Sequence, residues 1–457
     1  MASIKSIRSL TLDIPPSCIE FVPGHPELFV VGTYYLEKKQ DEEATAESTN
    51  GQPQQRTGSL LLFRLDGDEV TLKHTLSTPF AIFDIHFAPP STAASTLPLL
   101  GAATSTGSLA LYQVSASTLS IATLSVLQIF PTTSLITHFT WHPSIPSLAA
   151  LALSSGSIYL CDTAASNTDP IDDGDTTPTA AYLHAHSLEA WFVAFTPDGT
   201  GLLSGGDDST LASLALPFLP SSTTTTSSST TSPPPSAQKL LLLSAIADDH
   251  PPPPQWQDRR THQAGVTALL PLSPPPPPSN QDKKKEPPLL LLTGSYDDRI
   301  RLLALPTPAS SFRRPKLLAE LDLGGGVWRL KDITDITAVP AHDTGRTGSE
   351  GRARRARREY IILASCMHAG ARVLRLEGRR ASAEEEEEGG EGGDEGEGES
   401  EDEEDLEWSF DVLAAFEEHE SMNYASDVRP GGVEGGKGRG TVVSTSFYDR
   451  LLAVWRW

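Results

Sequence analysis

The sequence predicts an all-β protein: a single seven-bladed β-propeller closed on itself. Three features carry that reading. One hairpin pattern recurs seven times along the 457 residues, a short apolar strand precedes most copies, and the two ends of the chain are suited to pair.

The hairpins are VVGTYY…GSLLLFRL, LLGAATSTGSLALYQV, LAALALSSGSIYLCD, LLSGGDDSTLASLAL, LLTGSYDDRIRLLAL, ILASCMHAGARVLRL and VVSTSFYDRLLAVWRW. Each sets a small residue (Gly32, Ala102, Ser154, Ser204, Thr293, Ala364, Ser444) near a tight turn and then alternates apolar positions. Period-two alternation around a Gly/Ser/Asp turn is a hairpin signal. The preceding strands are CIEFVP, IFDIHFAP, ITHFTWHP, EAWFVAFTPDG, GVTALLPLSP and GVWRLKDI. A strand, a turn and a hairpin make most of a four-stranded blade, and seven such units fit a closed ring. A sandwich or a pair of domains also uses hairpins, but repetition along the whole length favours the propeller. The propeller is read as the WD40 type, although its Trp-Asp signature is almost absent, with Cys161-Asp162 and Val454-Trp455 as remnants. Ile4 to Ile14 is expected to form the strand that completes the last blade, which removes an open sheet edge.

Uneven repeat spacing comes from low-complexity insertions. Polar 37–57, Ser/Thr/Pro-rich 217–237, Pro/Lys-rich 271–287, Arg-rich 343–358 and acidic 382–407 read as disordered loops, because they lack the apolar surface that offsets ordering entropy. The net charge of −24 is local in the same way. Residues 384–407 hold 16 acidic and no basic side chains, which leaves −8 for the rest, an ordinary surface. The Arg-rich loop lacks interleaved aromatics, so direct nucleic-acid binding is not expected.

Cys18, Cys161 and Cys366 make no disulfide framework, and no CxxC pair suggests zinc. The opening residues lack an apolar signal core, and no run approaches the ~20 apolar residues of a membrane helix. The expectation is a cytoplasmic monomer with no metal, no cofactor and no membrane contact.

There is no GxSxG, HExxH, P-loop or strand-linked GxGxxG signature. Propeller geometry offers a lead instead. Residues that open the inner strands and residues of the hairpin turns converge on one rim of the central channel. That rim gathers His184, His186, Glu189 and Trp191; Gly324, Gly325, Gly326, Trp328 and Arg329; and Ser421, Asn423 and Tyr424. The turns add Asp207, Asp208, Tyr296, Asp297, His368, Tyr448 and Asp449. Each also has a plain structural reading: turn aspartates for Asp208, Asp297 and Asp449, a blade hydrogen-bond network for His184, core packing for Trp191, Trp328 and Cys366. The clustering of unusual blades on one side of the ring favours a site.

GGGVWRLK, ILASCMHAG, HSLEAW with SGGDD, TGSYDDRI and STSFYDRLLAVWRW together resemble the WD-repeat diphthine methylesterases of diphthamide biosynthesis. The resemblance runs in order from about Cys18 to Trp457, with departures at Lys331-Asp332, Ala425 and Val428. It implies hydrolysis of the methyl ester of methylated diphthine on translation elongation factor 2, ahead of amidation to diphthamide. The implied partners are that factor and other enzymes of the pathway. With no serine elbow present, direct attack by water is expected. His368 and Glu189 are the candidate bases, Asp208 or Asp297 orients a histidine, and the Gly324–Gly326 backbone or Arg329 holds the oxyanion. Trp191, Tyr296, Trp328 and Tyr448, with Asp297 or Asp449, would face the trimethylammonium, and Gly325 would allow close approach. Two alternatives have no catalysis: a scaffold that docks the factor or other pathway proteins, and an adaptor acting through the acidic tract.

Overall fold

The structure is a computed structural model, and it describes residues 3–37, 55–90, 97–164, 180–216, 242–243, 246, 253–273, 288–306, 313–337, 357–380, 406–431 and 440–457. Two short strands come first, β1 (Ser3–Ile4) and β2 (Arg8–Thr11). Blade 1 then holds β3 (Pro16–Phe21), β4 (Leu28–Thr33), β5 (Tyr35–Leu36), β6 (Arg56–Asp66) and β7 (Glu69–Thr78). Blade 2 is β8 (Ile82–Phe87), β9 (Leu99–Thr104), β10 (Ser108–Ser115) and β11 (Ser120–Gln128). Blade 3 is β12 (Ile136–Trp141), β13 (Leu148–Leu153), β14 (Ser157–Asp162) and β15 (Ala180–Ala185). Blade 4 is β16 (Ala190–Phe195), β17 (Gly201–Gly206), β18 (Leu211–Ala215) and β19 (Trp256–Asp258). Blade 5 is β20 (Val266–Leu272), β21 (Leu290–Ser295), β22 (Arg299–Ala304) and β23 (Lys316–Asp322). Blade 6 is β24 (Arg329–Asp332), β25 (Arg357–Ser365), β26 (Ala371–Arg380) and β27 (Leu406–Phe416), with a helical turn α1 (Thr334–Thr337) after its first strand. Blade 7 is β28 (Ala425–Val428), β29 (Thr441–Thr445) and β30 (Leu451–Arg456).

The inner strands β3, β8, β12, β16, β20, β24 and β28 each pack on the next, and β28 packs back on β3, so the ring is closed. This is the seven-bladed propeller read from the sequence. The second strands are mainly apolar and buried on both faces, as in LFVVGT of β4 and LAALAL of β13. Their small residues let neighbouring blades meet. A Cβ on Gly205 would lie 2.7 Å from Val266 Cγ1, and one on Gly294 would lie 2.6 Å from Val327 Cγ1, in each case a residue of the next blade. Each hairpin from blade 2 to blade 7 has a left-handed residue at its turn, Gly107, Gly156, Ser209, Asp298, Gly370 and Arg450, and blade 6 has a second, Met367.

The closing strand is shorter than the expected 4–14 and serves two blades. β2 pairs antiparallel with β30, Arg8 facing Val454, and supplies the fourth strand of blade 7. β1 pairs parallel with β27 of blade 6, Ile4 facing Phe416. Between them the Ser6 N–H donates to Glu418 Oε2 at 3.0 Å.

Strands begin or end inside four of the expected loops: β6 at Arg56, β20 at Leu272, β25 at Arg357 and β27 at Leu406. Apart from such flanking positions, the five insertions lie outside the described residues. No described helix is long and apolar enough to cross a membrane.

Candidate functional site

The turn aspartates serve the blades. In blade 4, His186 Nδ1 lies 3.0 Å from Asp208 Oδ1 and His186 Nε2 lies 2.9 Å from Ser204 Oγ. Asp208 also accepts from the backbone N–H of Ser187 and of Thr210. Burial opposes its charge, but the bonds from His186 and Ser187 outweigh that and hold the carboxyl well below its usual range. The connectivity is that of a Ser-His-Asp triad, yet Ser204 is fully buried, and its histidine–hydroxyl half recurs in blades 5 and 7. Blade 5 has His262 Nε2 at 2.8 Å from Thr293 Oγ1, with Asp297 capping the Gln263 N–H and paired to buried Arg301. Blade 7 has His419 Nε2 at 2.8 Å from Ser444 Oγ, Trp455 Nε1 donating to the same oxygen at 3.0 Å, and Asp449 accepting from the Glu420 N–H and the Ser421 hydroxyl. The network histidine of blade 4 is thus His186. His184, expected in that role, lies on the outer strand β15, where its Nε2 is 3.4 Å from Gln257.

The inner strands build the rim by a repeated bulge. Pairing of the first strand with the second skips Ser17, Phe83, Thr137, Trp191 and Thr267 in blades 1 to 5. Trp328 and Tyr424 stand just before the first paired residues of β24 and β28 in blades 6 and 7. A bulge leaves its residue unpaired and re-aims its side chain. Round the ring this position reads Ser, Phe, Thr, Trp, Thr, Trp, Tyr. The hydroxyls of odd-numbered blades 1, 3 and 5 each donate to a backbone oxygen of the following blade: Ser17 to Ile82 at 2.6 Å, Thr137 to Ala190 at 2.5 Å and Thr267 to Val327 at 2.5 Å. The aromatic side chains form the rim itself.

Those aromatics make a continuous arc. Trp191 contacts Trp328 (centroids 5.5 Å) and Tyr296 (6.3 Å), Trp328 contacts Tyr296 (6.0 Å) and Tyr424 (5.1 Å), and Tyr424 contacts Phe447 (5.6 Å). Phe447 continues to Tyr448 and to Tyr34, which meets Phe83. Trp191 Nε1 donates to Asp207 Oδ1 at 3.0 Å. Burial, then the charges of Asp207 and Glu189, push the Tyr296 phenol up. The structure therefore brings together Trp191, Tyr296 and Trp328 with Asp207, whose N–H donates to the Glu189 backbone oxygen at 2.8 Å. Tyr448 stands at the outer end, 70% exposed.

Below the rim lies a layer of which the sequence reading named only Arg329. Asp84, His138, Phe192 and Arg329 each follow the rim residue of their own strand. Arg329 of blade 6 reaches across to blade 2, with a guanidinium nitrogen 3.6 Å from Asp84 Oδ1. On the way it lies over Phe192 of blade 4 (5.5 Å) and over Trp328 (5.0 Å). The other Asp84 oxygen faces His86 Nε2 at 3.0 Å and His138 Nε2 at 3.4 Å. His86 Nδ1 is 3.4 Å from Glu20 of blade 1. Burial opposes a charge on His86, but Asp84 and Glu20 prevail and raise it to about 10. Burial keeps His138 neutral. Asp84, His86 and His138 offer three ligand atoms within 4.8 Å of one another. Protonated His86 and Arg329 already balance Asp84 and Glu20 there. The backbone of IFDIHF held the signal: Asp84 and His86 alternate on one face of a strand whose other residues are apolar.

The remaining expected residues are less central. Gly324 donates its N–H to Asp322 Oδ1 at 2.9 Å. Gly325 packs on the blade 6 turn, where a Cβ would fall 2.5 Å from the Cys366 oxygen. Asn423 is buried and bonds the oxygens of Ala425 and Thr445. His368 is exposed on the blade 6 turn, next to Met367, whose Sδ faces Gly326. Cys366 is fully buried, and burial pushes its thiol up to about 12.

No family model matches the chain, and no curated protein matches it. Among solved structures it is similar to a chain titled "Crystal Structure of Mitotic Checkpoint Complex". That match covers 99% of this chain and 96% of the other, with TM-score 0.51 and 12% identity. At that identity the likeness speaks for the WD40-type propeller fold alone.

Proposed function

We propose that this protein hydrolyses the methyl ester of methylated diphthine on translation elongation factor 2, releasing methanol and leaving the carboxylate for amidation. The observation that carries the reading is the arc of Trp191, Tyr296, Trp328 and Tyr424 with Asp207 and Glu189 beside it. Aromatic faces flanked by carboxylates suit a quaternary ammonium, which cannot donate a hydrogen bond and is held by cation–π attraction. The substrate carries such a group next to its ester.

In the reaction a water oxygen attacks the ester carbonyl carbon while a base takes one of its protons. The tetrahedral intermediate then expels the methoxy group, which takes that proton and leaves as methanol. Glu189, half-buried beside Tyr296, is the better-placed base. His368 stands as the second candidate on the adjoining turn. Arg329 stabilises the oxyanion beneath the arc. Asp208 acts only by holding its blade together.

The test is to incubate the purified full chain with elongation factor 2 bearing methylated diphthine and to follow the modified peptide by mass spectrometry. A loss of 14 mass units, about that of a methylene, is expected, and Glu189→Gln is expected to slow it about a hundredfold. Tight binding of the factor with no conversion would replace hydrolysis by the docking reading. That reading is favoured by exposed Tyr448 and Leu188 on the same face.

A further inference from the structure

The geometry points to Arg329 as a carboxylate-reading residue, so that the cup under the aromatic arc takes a betaine-type group, with a quaternary ammonium near a carboxyl, and holds the free acid more tightly than its methyl ester. This rests on the reading of the arc as an ammonium site and adds which form of the neighbouring group is preferred.

Three observations support it. The guanidinium stands one residue below Trp328, so a group lodged against the arc meets it next. Its hydrogen bonds are few: one nitrogen donates to the Trp328 oxygen at 3.0 Å, while the Asp84 contact at 3.6 Å is an ion pair beyond hydrogen-bond range. A guanidinium has five N–H donors, so several remain for a ligand. Arg329 is also held from behind. Asp84 is fixed by His86, and His86 by Glu20, so a line of alternating charge runs from blade 1 through blade 2 to the guanidinium. Phe192 lies under its face. Such support keeps the donor fork in place with little ordering cost when a ligand arrives.

Chemistry then separates the two forms. A carboxylate accepts two charge-assisted hydrogen bonds from a guanidinium, whereas an ester offers a neutral carbonyl oxygen. The site therefore retains its acid product. Arg329 is the ligand-touching residue, and Asp84 is a positioning residue that acts through it.

Intrinsic tryptophan fluorescence of the full chain, with Trp191 and Trp328 in the arc, is titrated with tetramethylammonium, trimethylglycine and trimethylglycine methyl ester. The expected order places trimethylglycine about tenfold tighter than its ester. Arg329→Gln should bring the two to parity while tetramethylammonium binding persists, and Arg329→Lys should keep part of the preference. Asp84→Asn should lower the preference without removing it, a change of ratio that a general loss of fold would not produce. If wild-type protein binds tetramethylammonium but treats acid and ester alike, Arg329 does not read the carboxylate and the inference is overturned alone. If none of the three probes binds, the ammonium reading falls with it. The wild-type comparison stands even if a variant fails to fold.

Discussion

Blades 6 and 7 are neighbours built from the same hairpin, and they hold their turns by different means. Blade 7 ties its turn with His419, Ser444, Trp455 and Asp449. At the matching positions blade 6 has Leu323, Ala364 and Ala369, which form no such network. Its turn is held by packing, Gly325 seated against Cys366 and Ala369. Blade 6 also contributes Trp328 and Arg329, the residues at the centre of the candidate site. Blade 7, whose turn is tied by hydrogen bonds, gives the arc one ring, Tyr424, whereas blade 6, whose turn is held by packing, gives it Trp328 and the charged Arg329 beneath.

If that division is right, substitutions in the two blades should fail in different ways. The largest effect is expected in blade 6. Trp328→Ala removes the ring shared by three aromatic contacts and should lower ester turnover by about a hundredfold, measured on protein whose circular dichroism is unchanged. Near-normal turnover would detach the arc from the chemistry. Next, Ser444→Ala in blade 7 strands the Trp455 Nε1–H and leaves His419 Nε2 without its partner, and should cost about 2 kcal/mol in chemical denaturation. Turnover per folded molecule should stay at the wild-type level.

The third expectation concerns acid. Burial lowers His262 and His419 to about 4, against an ordinary value of 6.5. The unfolded chain takes up these protons below about 6.5 while the folded blades refuse them until about 4. Stability should therefore fall as pH drops through that window and level off beneath it. His419→Gln should flatten part of that slope. A slope unchanged by the substitution would assign acid sensitivity elsewhere. The smallest effect is expected at Thr267→Val, which removes the hydroxyl bond from blade 5 to blade 6 and should cost about 1 kcal/mol by the same denaturation assay.

The hairpins were legible because each second strand is a short apolar run between turn residues, and such runs keep their meaning in any fold. The rim was partly legible, since Trp191, Tyr296 and Trp328 interrupt the repeat at the ends of strands. The layer beneath it was not. An inner strand has no solvent face, so the alternation in IFDIHF cannot say whether Asp84 meets water, a neighbour or the far side of the ring. Only closure brings Asp84 of blade 2 to Arg329 of blade 6. The histidines differ for a related reason. The sequence places His184 and His186 two residues apart, but β15 ends at Ala185, and the turn after it gives His186 the bond to Asp208.

The paired ends of the chain have a consequence for how the protein comes into being. Arg8 waits for Val454, and Ile4 for Phe416, so β1 and β2 find their partners only after the intervening blades have been made. The blades they complete are the two that supply Trp328, Arg329 and Tyr424. A chain still without blade 7, or one without β1 and β2, should thus be blank at the candidate site while most of its blades are already folded. The seam makes closure of the ring and assembly of the candidate site a single event.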